Sequence, residues 1–522
     1  MGASETVIKK EKSNRRDLTQ GSIIKKLVLF ALPLLGGSLI QQLYNTVDVF
    51  FAGNFIKEGN AMAAVGATSM IVVLLVGFFN GMSVGCSVVI SHDFGAHNKE
   101  KLQRSVHSAV GIALVGGTSL SILGFFVSPF ILQWMQTPDD IYEMASTYIR
   151  IYFLSVLSLV TYNICTGVLR AAGDSRTPLI YQCIGGACNV LGDYIFIVFF
   201  DMGVMGVAVA TLFSQTIPAA LVFLHLMLTK KPYRVFLKKI RIHFDVLKQI
   251  VKVGVPAGVQ SIVITLSNVI VQSQINGLGT DTIGAFTAYF RIELIMYLPI
   301  LAFGQAITTF VGQNYGAGQL HRLSKGVRFC ILLGLGCTVL TSAFVLIFNF
   351  WCYKVFGANE AEIALGMRIM YINASLYFLY VFLEVFSGAL RGSGNSFIPM
   401  IITVVNMCGV RIAFLFLFVN LFHTIESVAV CYPITWFTTS LCLGIYYFTG
   451  KLHREIKAHK ATHEPWEVPP EEPLDPPPPP LPDETEEDDP LSEAAPLPEG
   501  TGEDLTLPET ASEPEQTVEE KI

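Results

Sequence analysis

Gly167-Val-Leu-Arg170-Ala-Ala-Gly173-Asp-Ser-Arg-Thr-Pro178 returns 221 residues later as Gly388-Ala-Leu-Arg391-Gly-Ser-Gly394-Asn-Ser-Phe-Ile-Pro399. In both copies an apolar stretch closes on Arg, Gly follows three residues on, and Pro comes five after that. These are helix-end signals: a cation suits the negative end of the helix dipole, Gly the residue past the last turn. The same offset pairs Gly95-Ala96 with Gly316-Ala317 and Phe94 with Tyr315, and Pro33 and Pro256 lie 223 apart. Three matches in order at nearly one offset indicate a duplicated half rather than a chance string.

The chain between these marks is apolar. Of 522 residues, 52% are hydrophobic and 15% charged, and mean hydropathy is +0.52. A soluble chain of this length exposes more charge. A bilayer core of about 30 Å needs about 20 apolar residues per helix. Twelve runs qualify: 26–53, 62–91, 105–134, 141–169, 178–200, 204–229, 250–276, 282–313, 325–352, 362–390, 398–420 and 425–449. Six spans per half is even, so the halves share orientation, a parallel repeat about an axis along the membrane normal. The expected fold is an all-α membrane protein of about twelve helices in two parallel six-helix repeats.

Charge orients it. Lys9, Lys10, Lys12, Arg15, Arg16, Lys99, Lys101, Arg104, Arg170, Arg176, Arg322, Lys325, Arg328 and the Lys/Arg-rich 230–252 loop fall on one side. The opposite loops carry little beyond Lys57 and Lys354, and are acidic at Asp139 and Asp140. The positive-inside rule then puts both termini in the cytoplasm. The expected order is a cytoplasmic segment 1–25, a six-helix bundle 26–229, a basic linker 230–249, a second bundle 250–449 and a tail 450–522. That tail carries 21 acidic and 5 basic residues, against 20 and 30 in the preceding 449. With Pro476–Pro480 and Glu484-Thr-Glu-Glu-Asp-Asp489 it cannot build a core, and is expected to be disordered, its partner unidentified. The ten cysteines show no metal-ligand spacing and read as small packing residues.

Ionisable residues inside spans are costly and are functional candidates by default. Gln41, Asn45 and Asp48 on span 1, spaced 4 and 3 apart, share one helix face; so do Asn189 and Asp193 on span 5. Asp48, Asp193 and Thr211 of span 6 all fall within about 7–11 Å of the same end of their helices. Two carboxylates in a low-dielectric site resist joint ionisation, which suits a proton carrier. The same oxygens, with Asn189 and Thr211, offer the alternative of a small cation such as Na⁺. Arg291 and Glu293, two apart on span 8, point to different faces. Glu384 stands at the repeat position of Asn163, and Arg411 reads as structural. Tyr44, Tyr152, Tyr162, Phe286, Tyr289 and Tyr297 are candidates to stack on a cationic aromatic ligand. No GxxxxGK[ST] loop, HExxH or GxSxG is present, so neither ATP, nucleic acid nor catalysis is expected, and active transport must draw on an ion gradient.

The repeat plan, the two helix-end motifs and the Asp48/Asn189/Asp193 set together resemble the multidrug and toxic compound extrusion (MATE) family, over about residues 18–450. The likeness is to the bacterial branch with its cation site in the N-terminal half. It implies coupling-ion roles for Asp48, Asn189, Asp193 and Thr211, and cavity positions for Gln41 and Asn163. Asn45, Tyr44, Tyr289 and Glu384 are further cavity candidates. A seventh-span acid, used by some members, is missing from Val255–Asn276. The implied activity is export of amphipathic, often cationic compounds in exchange for H⁺ or Na⁺, with no cofactor. The alternatives are a flippase of lipid-linked intermediates, which needs a strongly basic cavity, and a non-transporting receptor or scaffold. Since the tail should not support the helices, deleting 462–522 should leave membrane insertion and transport nearly intact, measured by membrane yield and dye efflux; loss of folded protein would contradict this.

Overall fold

The computed structural model describes residues 17–56 and 60–461. Six helices make the first half: α1 (Ile23–Phe55), α2 (Ala61–Gly95), α3 (Lys99–Trp134), α4 (Asp139–Ala171), α5 (Arg176–Phe199) and α6 (Gly203–Leu228). The second half follows with α7 (Phe244–Asn276), α8 (Thr280–Gly316), α9 (Leu320–Ile347), the short α10 (Asn349–Val355), α11 (Glu360–Leu376), α12 (Phe378–Gly392), α13 (Phe397–Val419) and α14 (Ile425–Thr449). Eleven helices among the described residues are long and apolar enough to cross a membrane, and α11 with α12, bent by 49°, makes the twelfth crossing. No strand occurs among these residues. The all-α, twelve-span reading therefore holds.

Two boundaries differ from expectation. Helix α7 begins at Phe244 rather than 250, because Val246 and Ile250, one turn apart, bury themselves in the core of the first half. The tail is not irregular from residue 450. Its first residues form α15 (Lys451–Ala461), whose Leu452 and Ile456, also one turn apart, are buried in the second-half core. The reading of 462–522 falls outside the described residues.

The repeated motif is a helix stop followed by a helix start. Gly173 and Gly394 take positive φ, 77° and 87°. The amides of Gly173 and Asp174 bond the carbonyls of Arg170 and Leu169, at 2.9 Å each. Gly394 and Asn395 do the same to Arg391 and Leu390, at 2.9 and 3.0 Å. A side chain with a β-carbon resists that backbone conformation, which is why Gly recurs. Asp174 Oδ1 then accepts from Thr177 N at 3.1 Å, and Asn395 Oδ1 from Ile398 N at 3.4 Å, opening α5 and α13.

The halves join at the end that bears the basic loops. There the main chains of α2 and α8 touch: a Cβ on Gly95 would lie 2.0 Å from Gln313 O, and one on Gly316 2.1 Å from His92 O. His92 Nε2 lies 2.7 Å from Gly392 O, while Gln313 Nε2 donates to Ala171 O, also at 2.7 Å. His92 and Gln313 stand 221 apart, and so do Ala171 and Gly392, so one pseudo-twofold contact is made twice. Each side chain satisfies a carbonyl left free at the end of a helix in the other half. Residues before α1 are drawn in as well. Gln313 Oε1 accepts from Leu18 N at 2.9 Å, and Arg322 Nη2 donates to Leu18 O at 3.2 Å. Helices α2 and α7 continue the contact toward mid-span through Gly81 on Gly258 and Gly85 on Gly254. Nearer the other end, a Cβ on Gly66 would meet nothing within 4 Å. Among the described residues, every hydrogen bond between the halves lies at the basic end.

A side chain at Gly85 would place its Cβ 2.6 Å from Gly254 Cα and from Ile250 O. Gly85→Leu should cost about 1–3 kcal/mol or more, since backbone cannot step aside. Gly116→Leu, which meets nothing within 4 Å, should be close to silent. Thermal unfolding of the two purified variants separates them.

Candidate functional site

Helices α1 and α5 meet where Gly186 admits the ring of Tyr44, whose Cδ1 lies 3.2 Å from an ideal Cβ at that glycine. One turn further along α1 stands Asp48, flanked by Asn189 and Asp193 of α5. Helix α6 reaches the same level because Gly192 lies against Ala210, next to Thr211. Asp193 is wholly buried and Asn189 1% exposed. Immediately after Asp193 the helix widens into a π-helical turn, Tyr194–Phe199, an irregularity often found at functional sites.

The structure thus brings together three of the four expected coupling residues and places the fourth beside them. Asp48 Oδ1, Asn189 Oδ1 and both carboxylate oxygens of Asp193 are buried with no hydrogen-bond partner among the described residues. Burying such groups is expensive unless something answers them. A proton shared by the two carboxylates does so, and so does a small cation. Thr211 donates its hydroxyl to Val207 O at 2.9 Å, so it offers this site only a lone pair. Gln41 and Asn45 are exposed on the helix face that carries Asp48. Asn163 Nδ2 donates to Leu159 O in its own helix at 3.0 Å.

Sequence reasoning missed Tyr148, Gln182 and Gln215. Tyr148 is buried facing Asp48 and Asp193, and its ring stacks on Tyr152 at 6.4 Å. Gln215 lies beside Tyr152. Gln182 accepts from Tyr162 at 2.7 Å and donates to Tyr44 at 3.3 Å, fixing the tyrosine next to the acid pair. The available signal was the spacing of four between Tyr148 and Tyr152.

The second half holds one acid paired with an arginine and one bonded to a tyrosine. Glu384 pairs with Arg391 at 3.4 Å and accepts from Tyr380 at 3.4 Å, so this cavity candidate is already neutralised within α12. Tyr289, expected along a cavity, is wholly buried among Phe286 and Phe290. Arg291 and Glu293 do part as their spacing requires: Arg291 is exposed, while Glu293 accepts from Tyr377 at 3.0 Å inside the bundle. Arg411, between the π-helical turns Val405–Val410 and Leu415–Val419, donates to Asn268 Oδ1 at 2.9 Å and lies over the Tyr432 ring at 5.1 Å. The stretch of α13 that matches the acidic α5 site thus carries a cation, with Arg411 at the repeat position of Val190.

Comparison with known proteins agrees with the two-half architecture. The sequence model of the MatE family matches residues 33–195 and again 256–417, once in each half. The Bacillus subtilis (strain 168) protein named "Probable multidrug resistance protein YpnP" is 28% identical over 404 residues, which is 77% of this chain and 90% of the relative. "Multidrug export protein MepA" of Staphylococcus aureus (strain NCTC 8325 / PS 47) is 24% identical over 379 residues, 72% of this chain and 82% of the relative. The fold matches a crystal structure described as the outward-facing conformation of a multidrug resistance MATE family transporter, with a TM-score of 0.79 at 22% identity, covering 85% of this chain and 98% of that one.

The Glu384–Arg391 pair generates a stability prediction, its side chains being 12% and 16% exposed. Arg391→Gln should destabilise by about 3–5 kcal/mol, because the carboxylate is left buried and unpaired. Adding Glu384→Gln should return most of that loss, as read from thermal unfolding of the single and double variants. A double variant as unstable as Arg391→Gln alone would show that the cost is packing rather than charge.

Proposed function

Since this chain belongs to the MatE family of secondary transporters, we propose that it exports amphipathic, cationic organic compounds across the cytoplasmic membrane in exchange for protons. The observation that carries the reading is the buried pair Asp48 and Asp193, with oxygens that no protein group answers. Protonation cancels charge on the α1 face that also bears Gln41 and Asn45, and so weakens the hold on a cationic compound there. Linkage makes this reciprocal: bound compound lowers proton affinity as much as protons lower affinity for the compound.

The basic loops belong at the cytoplasmic face by their charge. Among the described residues the halves are hydrogen-bonded together only at that end, which supports reading this arrangement as the state open to the outside. Export then requires the His92 and Gln313 contacts to break so that compound can enter from the cytoplasm. A ligand shifts such an equilibrium only by its different affinity for the two states. Protonation of the acid pair supplies that difference.

Na⁺ is the second reading, favoured by the same unpartnered oxygens of Asp48, Asn189 and Asp193. A lipid-intermediate flippase fits less well: among the described residues Arg391 is paired with Glu384, and the terminal nitrogens of Arg411 donate to Asn268 and Thr435.

Asp48→Asn and Asp193→Asn keep size and remove titration. In cells expressing each variant at the wild-type level, ethidium should accumulate as in cells lacking the transporter. Full efflux by Asp48→Asn would remove it from the coupling step.

A further inference from the structure

We propose that the second half carries a binding site for one anionic phospholipid, at the end of the bundle with the basic loops. A cavity of about 260 Å³ opens between α9, α14 and α15, lined on its polar side by Arg328, His453 and Lys457. Its floor is aromatic: Phe386, Tyr447 and Phe448 lie within 5.2–6.0 Å of one another, and the His453 ring stands 6.1 Å from Phe448. Phe386 and Phe448 also line a second space of about 490 Å³, an apolar groove between α12 and α14. The two spaces therefore adjoin across these rings, a cationic mouth beside a hydrocarbon floor.

The groove has the length of one acyl chain in one leaflet. Phe437, Leu441, Ile445 and Phe448 fall on one face of α14 and are 50–56% exposed. The stripe spans eleven residues, about 16 Å at 1.5 Å per residue, against a half-core of about 15 Å. Gly444 makes the notch in this stripe: an ideal Cβ there would lie 3.4 Å from the Phe386 ring.

Charge selects the occupant. Arg328 and Lys457 are exposed and have no ion-pair partner among the described residues. The sole acid of α15, Glu455, is turned away, held by Tyr315 at 3.1 Å and Lys451 at 3.6 Å. Two free cations and a histidine at the rim of an apolar slot match a phosphate head joined to a hydrocarbon chain. Basic pockets between membrane helices bind anionic headgroups on this principle. A protein partner would need polar groups to meet the groove, which offers only Ser440 and Thr449, and the Ser440 hydroxyl already donates to Leu379 O at 2.8 Å.

The test uses the full-length protein purified in mild detergent and titrated with phosphatidylglycerol or phosphatidylcholine of identical acyl chains. Retained lipid is read by native mass spectrometry, and oligomeric state by light scattering. Phosphatidylglycerol should be retained and phosphatidylcholine not. The double variant Arg328→Gln/Lys457→Gln should weaken retention about tenfold or more, each cation near a membrane surface contributing by roughly fivefold. Gly444→Leu should weaken it by filling the notch; the charge variant tests the site independently of whether Gly444→Leu folds. Equal retention of both lipids, or unchanged retention in the double variant, would overturn the proposal. So would equal stabilisation by inorganic phosphate alone, or a dimer that Gly444→Leu breaks, which would seat a second copy of this chain on the groove.

Discussion

Everything in this molecule is arranged around two main chains that touch. Helices α2 and α8 approach so closely at the basic end that Gly95 and Gly316 leave no room for a β-carbon. The contact holds because each helix also lends a side chain to a free carbonyl of the opposite half, His92 to Gly392 and Gln313 to Ala171. Such a junction is bistable rather than elastic. Small shifts cannot loosen it gradually, since packed backbone and paired carbonyls are either engaged or not. The fixed contact at one end gives the polar groups elsewhere something to work against.

The halves are alike in frame and unlike in charge. At matched places, α5 widens after an unanswered aspartate, and α13 widens on both sides of Arg411, which donates to Asn268 and Thr435. Glu384 and Asn163 also occupy one repeat position, yet only the glutamate has an arginine to neutralise it. Duplication supplied the scaffold. Among the described residues, the carboxylate oxygens left without a partner, those of Asp48 and Asp193, lie in the first half, while Glu384 of the second is paired with Arg391.

The fold was legible because its governing signals are local. Apolar runs set the spans, and Gly173 and Gly394 announce the stops that divide them. Asp48, Asn189 and Asp193 were legible too, since acids within spans stand out and helical spacing fixes which face they share. What stayed hidden depends on packing between distant segments. Nothing in the string around His92 or Gln313 says that each will cap a helix 142 to 300 residues away. Glu384 read as a cavity candidate at the repeat position of Asn163, and only the packing shows it paired with Arg391 two turns along. Tyr289 looked like a cavity aromatic until its neighbours enclosed it. The start of α7 was missed because Val246 and Ile250 form too short an apolar pattern to outweigh the surrounding lysines.

The decisive measurement is transport by the purified protein in sealed liposomes, under an imposed pH gradient without Na⁺ and under a Na⁺ gradient at equal pH. Proton antiport requires the pH gradient alone to drive a cationic dye, and Asp48→Asn to abolish that movement while still binding to the membrane as folded protein. Movement under the Na⁺ gradient only would replace the proton at the same residues. Dye movement driven by neither gradient would contradict ion coupling at Asp48 and Asp193 altogether.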